Sequence, residues 1–239
     1  AVFALVTGLL FWAVFETGLG GRLDATNVLE PQLTMCTRVS IDHTTMLGTT
    51  VPQIAREKIG IAKPGVPFIA LDPGTDELRS LFADESARRG ACSCTFVPPD
   101  AVRDVHEGME GTTFSCDGDR WHIPVWGRYQ PVNAACALKA METLGVGDRA
   151  AFDRGLRSVN IPGRFHRVAF QKKELVFDCG HNPDAALTVR DNLARRYPNG
   201  SICFIVGIMR DKDRRGIIGA YAPLAAAMLL TSLELPRAA

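Results

Sequence analysis

The chain has 239 residues, enough for one large or two modest domains, and 46% of them are hydrophobic, which is ample for a buried core. The formal net charge of +1 provides no electrostatic basis for binding nucleic acid or a membrane surface. Seven cysteines, an odd number without CxxC spacing, indicate free thiols in a reducing, cytoplasmic compartment.

Residues 1–15 are almost wholly apolar. The run is too short to span a bilayer and lacks the basic segment that begins a signal peptide. We therefore expect a buried helix that leads into a buried strand at Ala13–Phe15. Because the sequence opens with Ala1 inside this apolar run, we also expect that a segment preceding it is missing.

Two apolar runs each end on polar side chains. The first ends on Glu16, and the second, Met35–Ile41, is followed by Asp42 and His43. In an open α/β sheet, ligands bind outside the carboxyl ends of the strands. Glu16 and His43 are therefore predicted to reach one site.

A glycine-rich loop follows Glu16. Gly18, Gly20 and Gly21 allow a tight turn and a close approach of backbone to a ligand. The loop is not the dinucleotide-binding fingerprint, because its third glycine is absent and Pro31 follows where a long helix would be needed.

A helix is predicted from Pro52 to about Lys63, with Thr50 as its N-cap. Ile54, Lys58 and Ile61 share one face, so Lys58 lies on the apolar side. Its stem could pack there while the ammonium group reaches water. Alternatively, a desolvated Lys58 could react as a neutral amine with carbon dioxide, which would create an anionic oxygen ligand for Mg²⁺. The spacing leaves both interpretations open.

The middle of the chain reads as an α/β unit followed by hairpins. Strands at 66–71 and 94–99 flank a helix at 76–90, and turn residues divide 104–126 into hairpin-like segments. A helix is then predicted from about Pro131 to Leu144, with Asn133 in its first turn. Asn133 by itself is an ordinary helix-start residue.

A Pro/Gly break at 161–164 marks the predicted domain boundary. Beyond it, a buried strand ends at Asp178, a helix capped near Asn182 runs to about Tyr197, and a strand follows at 201–207. This βαβ pattern predicts parallel strands with a right-handed crossover. Asp178 and His181 could serve a ligand at the strand end, or Asp178 could serve only the turn, as Asn182 serves the cap. Arg164 could likewise be a solvated linker arginine.

Six segments in this order resemble the folylpolyglutamate synthase/dihydrofolate synthase branch of the Mur ligases. They are ETGLGGRLDATN (16–27), SIDHTTMLGTT (40–50), IAREKIGIAKPG (54–65), QPVNAACAL (130–138), PGRF (162–165) and DCGHNPDA (178–185). The resemblance covers nearly the whole chain.

The resemblance implies an α/β protein with a Mur-ligase-type three-layer ATPase domain at 1–161 and a Rossmann-like C-terminal domain at 162–239. It implies an ATP-dependent ligase in which a folate or dihydropteroate carboxylate is phosphorylated to an acyl phosphate, which the amino group of L-glutamate then attacks. The partners expected are those small molecules together with ATP and Mg²⁺. We expect a cytoplasmic monomer with no nucleic-acid or membrane partner.

The resemblance also assigns roles to individual residues. The implied Mg²⁺ ligands are Glu16, His43 and Lys58, the last as a carbamylated lysine. The implied catalytic residues are Lys58, His43 and Arg164. The segment implied to touch the pterin substrate is Leu23, Asp24 and Ala25. The implied nucleotide contacts are Asn133, Arg164, Asp178 and His181.

The sequence departs from the family pattern in one main respect. No GxxxxGK[ST] motif occurs, although the family's phosphate-binding loop, of the form GTNGKGS, precedes the matching segments. We therefore expect a fragment truncated at both ends and inactive by itself. Two alternatives are a non-catalytic remnant of such a ligase and a Mur-type ligase of cell-wall peptides, although the GLGGRLDATN segment argues against the latter.

Overall fold

The computed structural model describes residues 2–7, 10–108 and 110–232. Its helices are α1 Thr44–Leu47, α2 Val51–Ile59, α3 Asp76–Arg88, α4 Tyr129–Leu144, α5 Arg149–Arg157, α6 Pro183–Arg196 and α7 Arg214–Tyr221. Its strands are β1 Val2–Thr7, β2 Leu10–Phe15, β3 Thr34–Cys36, β4 Pro67–Leu71, β5 Ser93–Val97, β6 Arg103–Gly108, β7 Gly111–Cys116, β8 Asp119–Ile123, β9 His166–Phe170, β10 Lys173–Phe177, β11 Ile202–Val206 and β12 Ala225–Leu230. None of the described helices is both long and apolar enough to cross a bilayer.

The chain divides into two compact units. Unit 1 comprises Ala1–Arg103, Cys116–Asp119 and Val132–Phe152, and unit 2 comprises Asp104–Ser115, Arg120–Pro131 and Asp153–Ala239. The domain boundary expected between residues 161 and 162 stays a prediction.

The N-terminal prediction is wrong. β1 and β2 form an antiparallel ribbon in which Val2 lies opposite Phe15, so the expected helix is a strand. Branched and aromatic side chains, which favour strands over helices, dominate both segments. Val14 and Phe15 are 64% and 45% exposed, so the strand is not buried either. Among the described residues, no third strand pairs with this ribbon.

Unit 1 is built on a parallel sheet in the order β3-β4-β5. Helices α2 and α3 contribute Ala55, Ile59 and Phe82 to one core with Phe68 of β4. Ile69 points to the opposite side of β4 and is also fully buried. Both sides of the central strand are therefore covered, as is typical of parallel sheets. The predicted strand–helix–strand unit at β4, α3 and β5 is confirmed.

Two predicted elements of unit 1 are shorter than expected. The strand predicted at Met35–Ile41 ends at Cys36, because its pairing with β4 stops there, and Asp42 and His43 therefore do not follow a strand directly. Helix α2 ends at Ile59 rather than near Lys63. Its predicted N-cap is confirmed, since the Thr50 hydroxyl accepts a hydrogen bond from the amide of Gln53.

Strand pairing in unit 2 differs from the predicted βαβ unit. β10 pairs antiparallel with β9 rather than with β11, because a two-residue turn with Gln171 at φ +54° folds it back onto β9. β10 is also largely exposed rather than buried. The parallel pair is β11–β12, which α7 connects. The preceding segments form the three-stranded sheet β6-β7-β8, in accord with the predicted hairpin-like region.

The core of unit 2 lies between these strands and helices α6 and α7. Ala186, Val189 and Leu193 of α6 pack with Ile217 of α7. The ring of Tyr221 stacks on Phe204 of β11 at a centroid distance of 4.9 Å, so α7 and β11 are held together.

Candidate active site

The carboxylate of Asp24 organises the glycine-rich loop. Its Oδ2 accepts hydrogen bonds from the amides of Gly18 and Leu19, each at 2.9 Å. Its Oδ1 accepts from the amide and hydroxyl of Thr26, at 2.9 and 2.6 Å. These donors, the Thr26 hydroxyl foremost, lower the pKa of Asp24 to about 2, because they stabilise the charged form. The loop is therefore held in one conformation before any ligand binds.

The neighbours of Asp24 are directed outward. Leu23 is 81% exposed, and Ala25 is also exposed. Because both oxygens of Asp24 are engaged within the loop, Leu23 and Ala25 are the more accessible members of the predicted substrate segment. Asp24 itself acts first as the N-cap of the short 3-10 helix Ala25–Val28.

The same loop packs on the C-terminal end of α2. The guanidinium group of Arg22 forms a bidentate ion pair with Glu57, with N–O distances of 3.0–3.2 Å. The side-chain amide of Asn27 donates to the carbonyl oxygens of Arg22 and Gly60, at 2.9 and 3.1 Å. Sequence reasoning assigned no role to Arg22 or Glu57, although each is the chain neighbour of a predicted site residue.

Lys58 is half-buried on α2, next to the edge strand β3. Burial raises the pKa of the Cys36 thiol to about 12, and the positive charge of Lys58 opposes this rise, which places the lysine near β3. Among the described residues, no hydrogen bond or ion pair engages the ammonium group of Lys58 or the carboxylate of Glu16. Both groups are therefore free of competing partners within that part of the chain.

Glu16 and His43 are both exposed. Glu16 directly follows β2. His43 adopts a left-handed conformation at φ +50°, which histidine tolerates better than most residues, and starts the single-turn helix α1. The amide of His43 donates to Oδ1 of Asp42 at 2.8 Å, and its Nε2 lies 3.8 Å from Oδ2.

These three side chains fit a divalent cation in chemical type. A carboxylate and a lysine carbamate would supply the oxygen atoms that Mg²⁺ prefers, whereas the imidazole of His43 is a less usual ligand for so hard a cation. Within the described residues, no hydrogen bond or ion pair links Glu16, His43 and Lys58 to one another. Their convergence on one ion stays a prediction.

In unit 2, Asp178 holds a turn that carries Arg164. Its Oδ2 accepts from the amide of Phe165 at 2.8 Å and its Oδ1 from the amide of Gly180 at 2.7 Å. Gly163 has φ +76°, a backbone conformation that strains any residue with a side chain, and a Cβ added there would lie 2.7 Å from the sulfur of Cys179. Arg164 is exposed at the tip of this turn.

Tyr129 is a neighbour of this turn that sequence reasoning missed. Burial raises its pKa to about 12, the nearby charge of Asp178 adds to the rise, and the charge of Arg164 opposes it. Tyr129 therefore lies within electrostatic range of both charged groups. The sequence did offer one signal for Tyr129: it directly precedes the QPVNAACAL segment, and it is the first residue of α4.

The remaining predicted residues lie just before α6 or within α4. Nδ1 of His181 lies 3.1 Å from the carbonyl oxygen of Cys179. Asn182 caps α6 as predicted, since its Oδ1 accepts from the amide of Ala185 at 2.8 Å. Asn133 is the fifth residue of α4 and not part of its first turn, because the helix begins at Tyr129. It is exposed, and it does not cap the helix because it lies four residues after the first helical residue.

Comparisons with known proteins extend these observations. A family model for the Mur ligase, glutamate ligase domain matches residues 163–239. The dihydrofolate synthase/folylpolyglutamate synthase of Escherichia coli K12 is 32% identical over 237 residues, which cover 95% of this chain and 52% of that protein. The solved structure of Mycobacterium tuberculosis folylpolyglutamate synthase complexed with ADP and AMPPCP is 27% identical with a TM-score of 0.82, covering 93% of this chain and 52% of that one.

A second solved structure carries more ligands. It is a bifunctional folylpolyglutamate synthase/dihydrofolate synthase with Mn, AMPPNP and L-glutamate bound. It is 30% identical, with a TM-score of 0.73 over 93% of this chain and 53% of that one. The chain thus spans about half the length of these relatives.

Over that length, the predicted α/β fold of Mur-ligase type is confirmed. The order of the six motifs, the match of residues 163–239 and the similarity to solved structures all agree. The resemblance of this chain to the folylpolyglutamate synthase/dihydrofolate synthase branch of the Mur ligases is thereby confirmed over about half the length of those proteins.

Proposed function

We propose that this chain carries part of the active site of an ATP-dependent ligase that adds L-glutamate to a folate or to dihydropteroate. The observation that carries the proposal is the similarity to structures of folylpolyglutamate/dihydrofolate synthases holding ADP or AMPPNP, Mn and L-glutamate. Its site residues lie in the segments that carry the family resemblance. Monomeric state and a cytoplasmic location are parts of the same proposal.

In the proposed reaction, ATP phosphorylates the substrate carboxylate, and ADP leaves. The amino group of L-glutamate attacks the acyl phosphate, forms the amide bond and releases phosphate. Glu16, His43 and a carbamylated Lys58 would hold a divalent cation such as Mg²⁺, which neutralises charge on the phosphates when bound. Leu23, Asp24 and Ala25 would contact the pterin-bearing substrate.

The residues of unit 2 would serve the nucleotide. Arg164, exposed on a turn that Asp178 rigidifies, supplies a cation for a phosphate or for the acyl-phosphate transition state. His181, also of unit 2, and Asn133, of unit 1, are the remaining proposed nucleotide contacts. The preformed turn supports this role, because a backbone already held in one conformation loses less conformational entropy when Arg164 binds a ligand.

Calorimetry with MgATP on this chain tests the proposal. We expect measurable binding that Arg164→Ala weakens by about tenfold, the size expected for a lost charge-assisted hydrogen bond. Arg157→Ala is the control, because Arg157 is also exposed and, within the part of the chain that the structure describes, pairs with Asp153 along α5. Absence of binding by the unaltered chain, or equal affinities of the two variants, would contradict a nucleotide site here.

A further inference from the structure

We propose that Arg22 and Glu57 are a positioning pair, which fixes the substrate segment Leu23–Ala25 in register with the helix that carries Lys58. The inference rests on the proposed function for the identity of the ligand. It adds two residues that act through their chain neighbours and are not required to touch substrate or metal.

The contact between the two residues is specific in its geometry. Nε of Arg22 lies 3.2 and 3.1 Å from the two carboxylate oxygens of Glu57, and Nη2 lies 3.0 Å from Oε1. Such a bidentate pair fixes direction as well as distance, because the guanidinium group and the carboxylate are both planar. A backbone hydrogen bond joins the same two residues, because the amide of Arg22 donates to the carbonyl oxygen of Glu57 at 2.8 Å.

Further contacts prevent the loop from sliding along α2. Asn27 bridges Arg22 and Gly60 through its side-chain amide, and Nζ of Lys63 donates to the carbonyl oxygen of Asn27. Gly60 and Gly21 allow the two backbones to meet: a Cβ added at Gly60 would lie 2.5 Å from Cα of Arg22. Loop and helix end therefore pack backbone against backbone.

The covalent chain converts this contact into a constraint on the proposed site. Leu23 follows Arg22, and Lys58 follows Glu57, so each proposed site residue is one Cα–Cα step, about 3.8 Å, from a member of the pair. If Arg22 could move relative to Glu57, Leu23 could move relative to Lys58. In the proposed reaction, such freedom would reduce the fraction of bound pterin that is correctly placed.

The ion pair is accessible to water. The side chains of Arg22 and Glu57 are 44% and 24% exposed, so solvent screens the attraction. Its loss should therefore change the local order of the loop more than the stability of the whole chain. If the pair contributed only to global stability, its loss would lower the unfolding free energy of the whole chain without a specific change in the order of the loop.

Hydrogen exchange of the unliganded chain, measured by mass spectrometry, tests the constraint without any substrate. Arg22→Ala should accelerate exchange across residues 18–27 by about three- to tenfold, the range expected for a bidentate, partly screened pair. The matched control is Arg79→Ala, since Arg79 is 41% exposed and its Nε lies 2.9 Å from both oxygens of Asp72, also in unit 1. Equal exchange across 18–27 in Arg22→Ala and the unaltered chain would overturn the proposal.

The affinity for dihydropteroate tests whether the positioning of the loop contributes to substrate binding. Calorimetry with 7,8-dihydropteroate should show affinity falling about three- to tenfold in Arg22→Ala and less in Arg22→Lys, which keeps the charge but not the bidentate contact. MgATP affinity should stay unchanged. Because the residues act as a pair, Arg22→Ala combined with Glu57→Ala should lose no more than the worse single variant.

The two measurements separate the two proposals. If the unaltered chain binds neither dihydropteroate nor MgATP, the proposed function fails, and hydrogen exchange still decides whether the pair positions the loop. If the unaltered chain binds dihydropteroate and Arg22→Ala binds it equally well, the positioning role fails while the proposed function stands. Equal losses of dihydropteroate affinity in Arg22→Ala and in Arg79→Ala would also refute the positioning role.

Discussion

At the residue scale, two carboxylates of the candidate site, those of Asp24 and Asp178, accept hydrogen bonds from nearby backbone amides even without a ligand. Asp24 accepts four hydrogen bonds within its own loop, and Asp178 accepts one from each of two separate segments. Their side chains thereby preorganise Leu23, Ala25 and Arg164. The turn interpretation of Asp178 is confirmed, and a ligand role for the same residue stays a prediction, because carboxylate oxygens can accept further hydrogen bonds.

Asp24→Asn tests this organisation through pH. The pKa of Asp24 falls from its ordinary value of 3.8 to about 2 in the fold, so its contribution is complete above pH 3.8 and is lost as the pH falls through about 2. We expect the variant to lose about 1 kcal/mol of unfolding free energy at pH 7, a value reduced because solvent screens the loop.

Urea unfolding of both proteins between pH 7 and pH 2 provides the measurement. The difference between unaltered chain and variant should shrink as the pH falls from about 4 to about 2, where the aspartate becomes neutral. A difference that persisted unchanged at pH 2 would show that the charge of Asp24 does not stabilise the loop.

At the element scale, the decisive contact is the close approach of the glycine-rich loop to the end of α2. Any side chain at Gly60 would meet Arg22, with 2.3 Å between the two Cβ atoms. Gly60 itself has an ordinary helical conformation at φ −53°, so steric contact and not backbone strain requires glycine there. Helix α2 ends beside this contact, four residues before the predicted end near Lys63.

Gly60→Ala should therefore destabilise the chain by about 1–3 kcal/mol, the usual cost of forcing an extra methyl group into a packed contact. Gly155→Ala is the matched control. It lies within α5, where an added Cβ would meet no heavy atom within 4 Å, and the change should stabilise by about 0.5–1 kcal/mol. Thermal unfolding distinguishes the two. Effects of the same sign would contradict the steric explanation.

At the scale of the whole molecule, two separate hydrophobic cores stabilise two compact units. Ile59 lies in the core formed by α2, α3 and the parallel sheet, and Ile217 lies in the core around α6 and α7. Both side chains are buried, at 0% and 2% exposure. Each core is built from residues of one unit only.

Ile59→Val and Ile217→Val should each cost about 0.5–1.5 kcal/mol, because each removes one buried methylene group. The two variants should accelerate hydrogen exchange in different regions of the chain. Ile59→Val should accelerate exchange most in α2 and β4, and Ile217→Val most in α6 and α7. Each variant is the control for the other. Identical exchange patterns would show that the two cores unfold as one cooperative body.

Much of the fold follows from local pattern. The capping signals at Thr50 and Asn182 and the apolar strand β4 act over a few residues, and the structure confirms them. The errors concern strand partners: β10 pairs with β9 and not with β11, and the N-terminal segments pair with each other. Apolar runs show no preference for a partner, so pairing depends on the whole chain.

The sequence by itself indicated the family, through six motifs that resemble it, and it fixed the order of those motifs and the residue types of the candidate site. Only the tertiary structure revealed that Glu57 contacts Arg22, 35 positions away along the chain, and that Tyr129 lies near Asp178. Contacts between distant segments form when the chain packs its cores, and no local period encodes them. The register between substrate segment and Lys58 is therefore a property of the fold.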